Sequence, residues 1–234
     1  MPSESRGTAT NTGTGTTVTV TLTAPPGPQS YVLVAVGLSA TTPTVSGVTG
    51  GTGTFVQAAA INSAGKRLEL WVGYNFGASA PTSIVVTRGA GTVNMAVVAR
   101  TIDVLANAAT APSFTASTGQ TATSTSADSG AITPAVGDLL LAGCVLASTT
   151  ASSARTHTGN NYLQNAGAGL TNVRVETGWA EAVAAASSKE VWTVTSVEWA
   201  AIQVKWTPPA PPTPTAALLL KGLTTQAADA ASSY

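Results

Sequence analysis

The alternation in Thr16-Thr17-Val18-Thr19-Val20-Thr21-Leu22 most limits the folds open to this chain. Successive side chains of a strand point to opposite faces, so a period of two separates valines from threonines only when the segment is extended. Val and Thr also fit a pleated surface better than a helix, because branching at Cβ restricts their rotamers. Residues 31–38 are denser in apolar side chains and suit a central strand. Further strands are expected over 55–61, 68–74, 83–87 and 95–105. Between them lie Pro25-Pro26-Gly27-Pro28, Gly50-Gly51-Thr52-Gly53, Asn75-Phe76-Gly77 and Gly89-Ala90-Gly91, residues that supply turn dihedrals. Residues 180–186 (AEAVAAA) are rich in helix formers, but their flanks read as strands. Short strands with regular turn signals predict an all-β fold, an antiparallel β-sandwich of jelly-roll-like type.

The second half of the chain echoes the first. Tyr31-Val32-Leu33-Val34-Ala35-Val36-Gly37-Leu38-Ser39 matches the run from Asp138 to Ser148. Leu68-Glu69-Leu70-Trp71-Val72-Gly73-Tyr74 matches Val173-Arg174-Val175-Glu176-Thr177-Gly178-Trp179, and Ser83-Ile84-Val85-Val86-Thr87 matches residues 190–195. Residues 96–100 match 200–206. The four matches occur in the same order at an offset of roughly 105 residues. Two pseudo-repeated halves are therefore expected, at about 12–105 and 121–207, within one sandwich spanning 12–207 and after an N-terminal segment, 1–11. The halves could share a core or form two small sandwiches. A shared core is favoured, because residues 106–113 are too short and uncharged to resemble a domain linker.

After the last expected strand the chain changes character. Thr207-Pro208-Pro209-Ala210-Pro211-Pro212-Thr213-Pro214 favours extended polyproline II, a semi-rigid spacer. It leads into Ala216-Ala217-Leu218-Leu219-Leu220-Lys221-Gly222-Leu223. Residues 208–234 are expected to form a Pro-rich linker and C-terminal arm, with Leu218, Leu219, Leu220 and Leu223 as candidate assembly contacts. The leucines could fold back on their own domain or dock on another subunit.

Composition leaves few kinds of chemistry open. Ten basic residues balance ten acidic ones, and only 9% of the 234 residues are charged. Nucleic-acid binding needs clustered Lys and Arg, and only Lys66-Arg67 adjoin, so no nucleic-acid partner is expected. The single cysteine, Cys144, sits in an apolar run and reads as a buried thiol. Residues 1–6 lack the apolar stretch of a secretion signal, and no run approaches the length of a membrane span. A chain made in a cytoplasm and not inserted in a membrane is expected. His157, the only histidine, reads as a solvated loop residue, with no Gly-x-Ser-x-Gly elbow to accompany it. One His and one isolated Cys do not make a zinc set, and no calcium loop is present. The glycine-rich run 47–53 lacks the Lys-Ser/Thr of a phosphate loop and reads as a mobile turn. Glu176 and Glu181 flank Trp179, but their opposite parity would send them to opposite faces, so they read as exposed strand-face charges. No catalytic residue, metal or cofactor is expected. Trp71, Trp179, Trp192, Trp199 and Trp206 read as core or subunit packing, with Trp192 and Trp206 in phase with apolar Val194 and Val204. Tyr162 and Phe76 fall in expected loops and are the candidate exposed aromatics.

The order of these segments carries a resemblance. Val45-Ser46-Gly47-Val48-Thr49 follows the strand begun at Tyr31, then come Leu68-Glu69-Leu70-Trp71, Ser83-Ile84-Val85-Val86-Thr87 and Val97-Val98-Ala99-Arg100-Thr101-Ile102-Asp103. A Thr/Ser-rich connection leads to Pro134-Ala135-Val136-Gly137-Asp138-Leu139-Leu140-Leu141. Over roughly residues 12–207 this resembles the Thr/Ala/Gly-rich β-sandwich modules of tailed-phage structural proteins and some actinobacterial surface proteins. The resemblance lies in pattern and composition and brings no catalytic residues with it. It implies a non-enzymatic virion component of the tail or the capsid surface. Its partners would be other virion proteins and further copies of itself in a homo-oligomer. The alternative is a carbohydrate-binding adhesin or receptor-binding module whose partner is a host-surface glycan.

Overall fold

The computed structural model describes residues 4–77, 81–104 and 110–209. Within them the chain is all-β and antiparallel, with sheets packed face to face. In the first half the strands are β1 (Glu4–Gly13), β2 (Thr17–Thr21), β3 (Ser30–Leu38), β4 (Val45–Thr49), β5 (Thr54–Asn62), β6 (Arg67–Tyr74), β7 (Ser83–Arg88) and β8 (Met95–Asp103). The second half contains β9 (Thr115–Ala116), β10 (Gln120–Asp128), β11 (Leu139–Leu146), β12 (Ala154–Thr158), β13 (Leu163–Leu170), β14 (Val173–Glu181) and β15 (Lys189–Trp206).

Two sheets form the middle of the molecule, in the orders β1-β8-β3-β6-β5 and β10-β15-β11-β14-β13. The segments matched in the sequence occupy corresponding places: β3 and β11 at the centre, β6 and β14 on one side, β8 and the end of β15 on the other. Between the two sheets lies the largest apolar cluster, with Leu33, Leu70 and Val98 facing Leu141, Val175 and Ile202. The other face of the first sheet packs Val34, Val36 and Val97 against Val20, Ile84 and Val86 of the three-stranded sheet β2-β7-β4. The other face of the second sheet packs Leu140, Cys144 and Leu146 against Ala127, Trp192 and Val194. There the front of β15 lies between β12 and the end of β10, as β7 lies between β4 and β2. The halves therefore share a core, and each also has a core of its own. This layering explains why β3 and β11 are apolar at both parities: they are covered on both faces.

Several boundaries differ from expectation. Residues 4–11, assigned to a separate N-terminal segment, belong to β1 and pair along β8 from Glu4↔Asp103 to Gly13↔Met95. The Thr/Ser-rich connection contains the nine-residue β10, paired with β15. Neither strand shows apolar alternation; each lies at a sheet edge, and β10 is exposed along most of its length. The apparent helix formers at 180–186 end β14 and enter a turn. An extra residue interrupts the pairing on the edge strands β1, β4 and β5, and on β13. Such bulges blunt exposed edges against open-ended strand addition.

Candidate functional site

The polar interior of the second half is built on positions where the strands leave room. Glu190 opens β15 beside β12, opposite His157 in register. It is fully buried, lying over Gly178, where a Cβ would come within 2.2 Å of Oε2. Arg155 Nη1 donates to Glu190 Oε1 at 2.5 Å, while Oε2 has no hydrogen-bond partner. Burial pushes the Glu190 carboxyl up to about 7, against the opposing pull of Arg155. Burial likewise lowers the nearby Arg100 guanidinium to about 10 and raises the Cys144 thiol.

Tyr162 completes this interior. Its hydroxyl donates to Gln203 Oε1, and Gln203 Nε2 donates to the carbonyls of Gly130 and Ser188. Burial pushes the Tyr162 phenol well up. Asn160 is buried beside it, accepting from Val183 N at 2.8 Å and donating to Ala184 O at 2.9 Å. A shallow polar cleft of about 360 Å³ opens outside this network, lined by Gln120, Asp128, Thr158, Ser187 and Lys189 among others. Lys189 and Asp128 are joined at 2.5 Å by an ion pair.

Two other glutamates are buried and better satisfied. Glu69 Oε1 accepts from Arg67 Nε and Val45 N, and Oε2 from Gln57 and Trp71 Nε1. Glu176 Oε1 accepts from Arg174 Nε and Ser152 N, and Oε2 from Ser152 Oγ. Each carboxylate ties the loop or strand that follows the central strand of its sheet to the sheet itself. The expectation that Glu176 is an exposed charge is therefore overturned: it is fully buried on the side of Ser152 and Arg174, whereas Glu181 is half-buried at the strand end.

The candidate aromatics are also corrected. Tyr162 and Phe76 are each only 1% exposed. Phe76 fills the space left by Gly53, where a Cβ would lie 2.1 Å from the ring, and meets Phe55 edge-on at 5.8 Å. Gly50 and Gly53 of the glycine run thus serve close packing, whereas a Cβ at Gly47 would meet nothing within 4 Å. Trp179, Trp192, Trp199 and Trp206 are buried as expected, and Trp71 is half-buried with its indole N–H on Glu69. Cys144 is buried. His157 lies on strand β12, where a loop was expected, and is exposed. Leu218, Leu219, Leu220 and Leu223 lie outside the described residues.

Among the described residues, no three or more His, Cys, Asp or Glu side chains gather in a metal-binding group. No helix there is long and apolar enough to cross a membrane. No family model, curated protein or solved structure matches the chain.

Proposed function

We propose that the chain is a non-enzymatic structural component of a bacteriophage virion, a tail or capsid-decoration protein that acts through contacts with neighbouring subunits. On this reading its halves are two copies of one β unit, joined as a rigid block and extended by a C-terminal arm. The observation that carries it is the burial of four side chains that could otherwise take part in chemistry. Cys144, Tyr162, Glu176 and Glu190 are all buried, and three of them are engaged in bonds that hold strands and loops together. The outward positions of β2 and most of β10 carry Thr, Ser, Ala and Gln. Such a body offers neighbours shape and hydroxyls. The bulged edges favour contacts that end over sheets that grow.

Immunogold electron microscopy of particles from producing cells tests this reading. Label on the tail or the head surface is the expected result; particles without label would sink it. A chain shortened to residues 1–214 should keep its folded sandwich and enter particles poorly. Unfolding of the shortened chain would instead place the arm in its own core.

A further inference from the structure

Only two large apolar side chains among the described residues are exposed, Val136 at 68% and Val183 at 77%. They stand on adjoining turns. Gly137 N donates to Ala182 O and Ala182 N to Asp138 O, both at 2.8 Å, so the two turns are laced together. Their neighbours Ala135, Ala184 and Ala185 are exposed as well, giving a small apolar patch bordered by Lys205, which donates to Thr133 O, and by Glu181.

Both turns are held from inside by buried polar groups. Asn160, which is fully buried, grips Val183 N, Ala184 N and Ala184 O. Asp138, 1% exposed, accepts from Ala135 N at 2.8 Å and from Thr207 Oγ1. Gly137 adopts φ +88°, a conformation that lets the first turn close. The valines are thus displayed on rigid supports. Holding apolar side chains in water gains nothing unless something covers them.

The chain itself points to the occupant. Thr207, bonded to Asp138, is where the chain leaves β15, so the Pro-rich spacer departs beside the patch. Residues 208–214 in polyproline II would span about 20 Å, at roughly 3.1 Å per residue. In that conformation the spacer would carry Leu218 to Leu223 away from the patch beside which it starts. It would bring them within reach of the same patch on an adjacent molecule.

We propose that the Val136 and Val183 turns are the seat for the Leu218–Leu223 segment of a second copy of this chain. This rests on the assembly reading above and names its contact. Because seat and arm are different surfaces, the contact closes by reciprocal exchange of arms in a two-fold dimer or as a head-to-tail ring. A single seat of this size holds weakly, and repetition of the contact in a closed assembly reinforces it.

Sedimentation velocity over a wide concentration range tests this on three full preparations: the complete chain, Val136→Ser/Val183→Ser, and the chain ending at residue 214. Both valines are exposed, so the double variant should unfold at the same temperature as the complete chain. The complete chain should associate, and the double variant and the shortened chain should each associate about tenfold or more weakly. If the shortened chain loses association and the double variant keeps it, the arm docks elsewhere: the seat is wrong and the assembly reading stands. If neither change matters to an associating chain, this contact is wrong in both parts. A complete chain that stays monomeric throughout overturns the seat and counts against assembly as well.

Discussion

Replacing Glu190 with glutamine should remove a distinct pH-dependent part of this fold's stability. The carboxyl is fully buried and raised from 4.5 to about 7, with burial as the dominant cause and Arg155 opposing it. On unfolding it returns to its ordinary range. Between about pH 4.5 and 7 the folded chain therefore holds a proton that the unfolded chain has released. Stability changes with pH in proportion to protons bound unfolded minus protons bound folded, which is negative here. This contribution falls as pH rises through that window and is level above it. At about 1.4 kcal/mol per pH unit, the interval corresponds to about 3 kcal/mol. Glu198 works in the opposite sense: hydrogen bonds from Ser63 and Gly65 lower it, so its stabilisation is lost as pH falls. The wild-type profile alone mixes such contributions, and the difference between wild type and Glu190→Gln isolates one. Urea unfolding followed by tryptophan fluorescence from pH 4.5 to 8.5 measures it. The wild-type minus variant free energy should drop by about 3 kcal/mol and then flatten. A level or rising difference across the window would refute the claim that burial outweighs the ion pair at Glu190. Histidine is the other side-chain type that changes charge near neutrality, so the series is repeated in a His157→Ala background, where the drop should persist.

Packing and ion-pair predictions follow from the same contacts. Gly53→Ala should destabilise by about 1–3 kcal/mol, because its Cβ would enter the Phe76 ring, whereas Gly47→Ala, with nothing within 4 Å, should stay within about 0.5 kcal/mol; urea midpoints check both. Glu69→Ala and Glu176→Ala should each cost about 3–5 kcal/mol, since each strands a partly buried arginine; thermal unfolding should show similar losses for the two. His157→Ala should shift stability by no more than about 0.5 kcal/mol and leave self-association and any hydrolytic activity unchanged; a large loss of activity with intact folding would reveal an enzyme.

The strands that show in the sequence are those with at least one face in a core. The eBeBe burial of β2 and the wholly buried β3 and β11 match the patterns that mark them. β10 is missed because its hydroxyls stay in solvent at both parities, so burial leaves no period to read. Phe76 and Tyr162 are misplaced for a related reason. A turn-like neighbourhood does not reveal exposure when the covering groups come from far along the chain: Gln203 for Tyr162, and Gly53 for Phe76. The buried carboxylates did leave a signal. Arg67-Leu68-Glu69 and Arg174-Val175-Glu176 place two charges at one parity inside otherwise apolar strands, in a chain with very few charges. Charges at the same parity two residues apart can pair with each other, which makes their burial tolerable.

The same carboxylates bear on the proposal that the halves are copies of one unit. Arg67, Glu69 and Val45 each lie 107 positions before Arg174, Glu176 and Ser152, and both triplets make the same two contacts to Oε1. At the far ends of the central strands, Ser30 bonds Asp103 in the first half, while Asp138 bonds Thr207 in the second. There the hydroxyl and the carboxylate have changed places across one strand pair. This exchange supports the proposal that the halves are copies of one unit. The halves differ most in their outer interiors. The first is filled by Val, Leu, Ile and Phe, whereas the second holds Glu190, Gln203, Tyr162 and Asn160. Asn160 in that polar interior holds the Val183 turn outward. On the proposed reading, the polar side chains of the second half would support from inside the turns on which the arm of a second copy is seated.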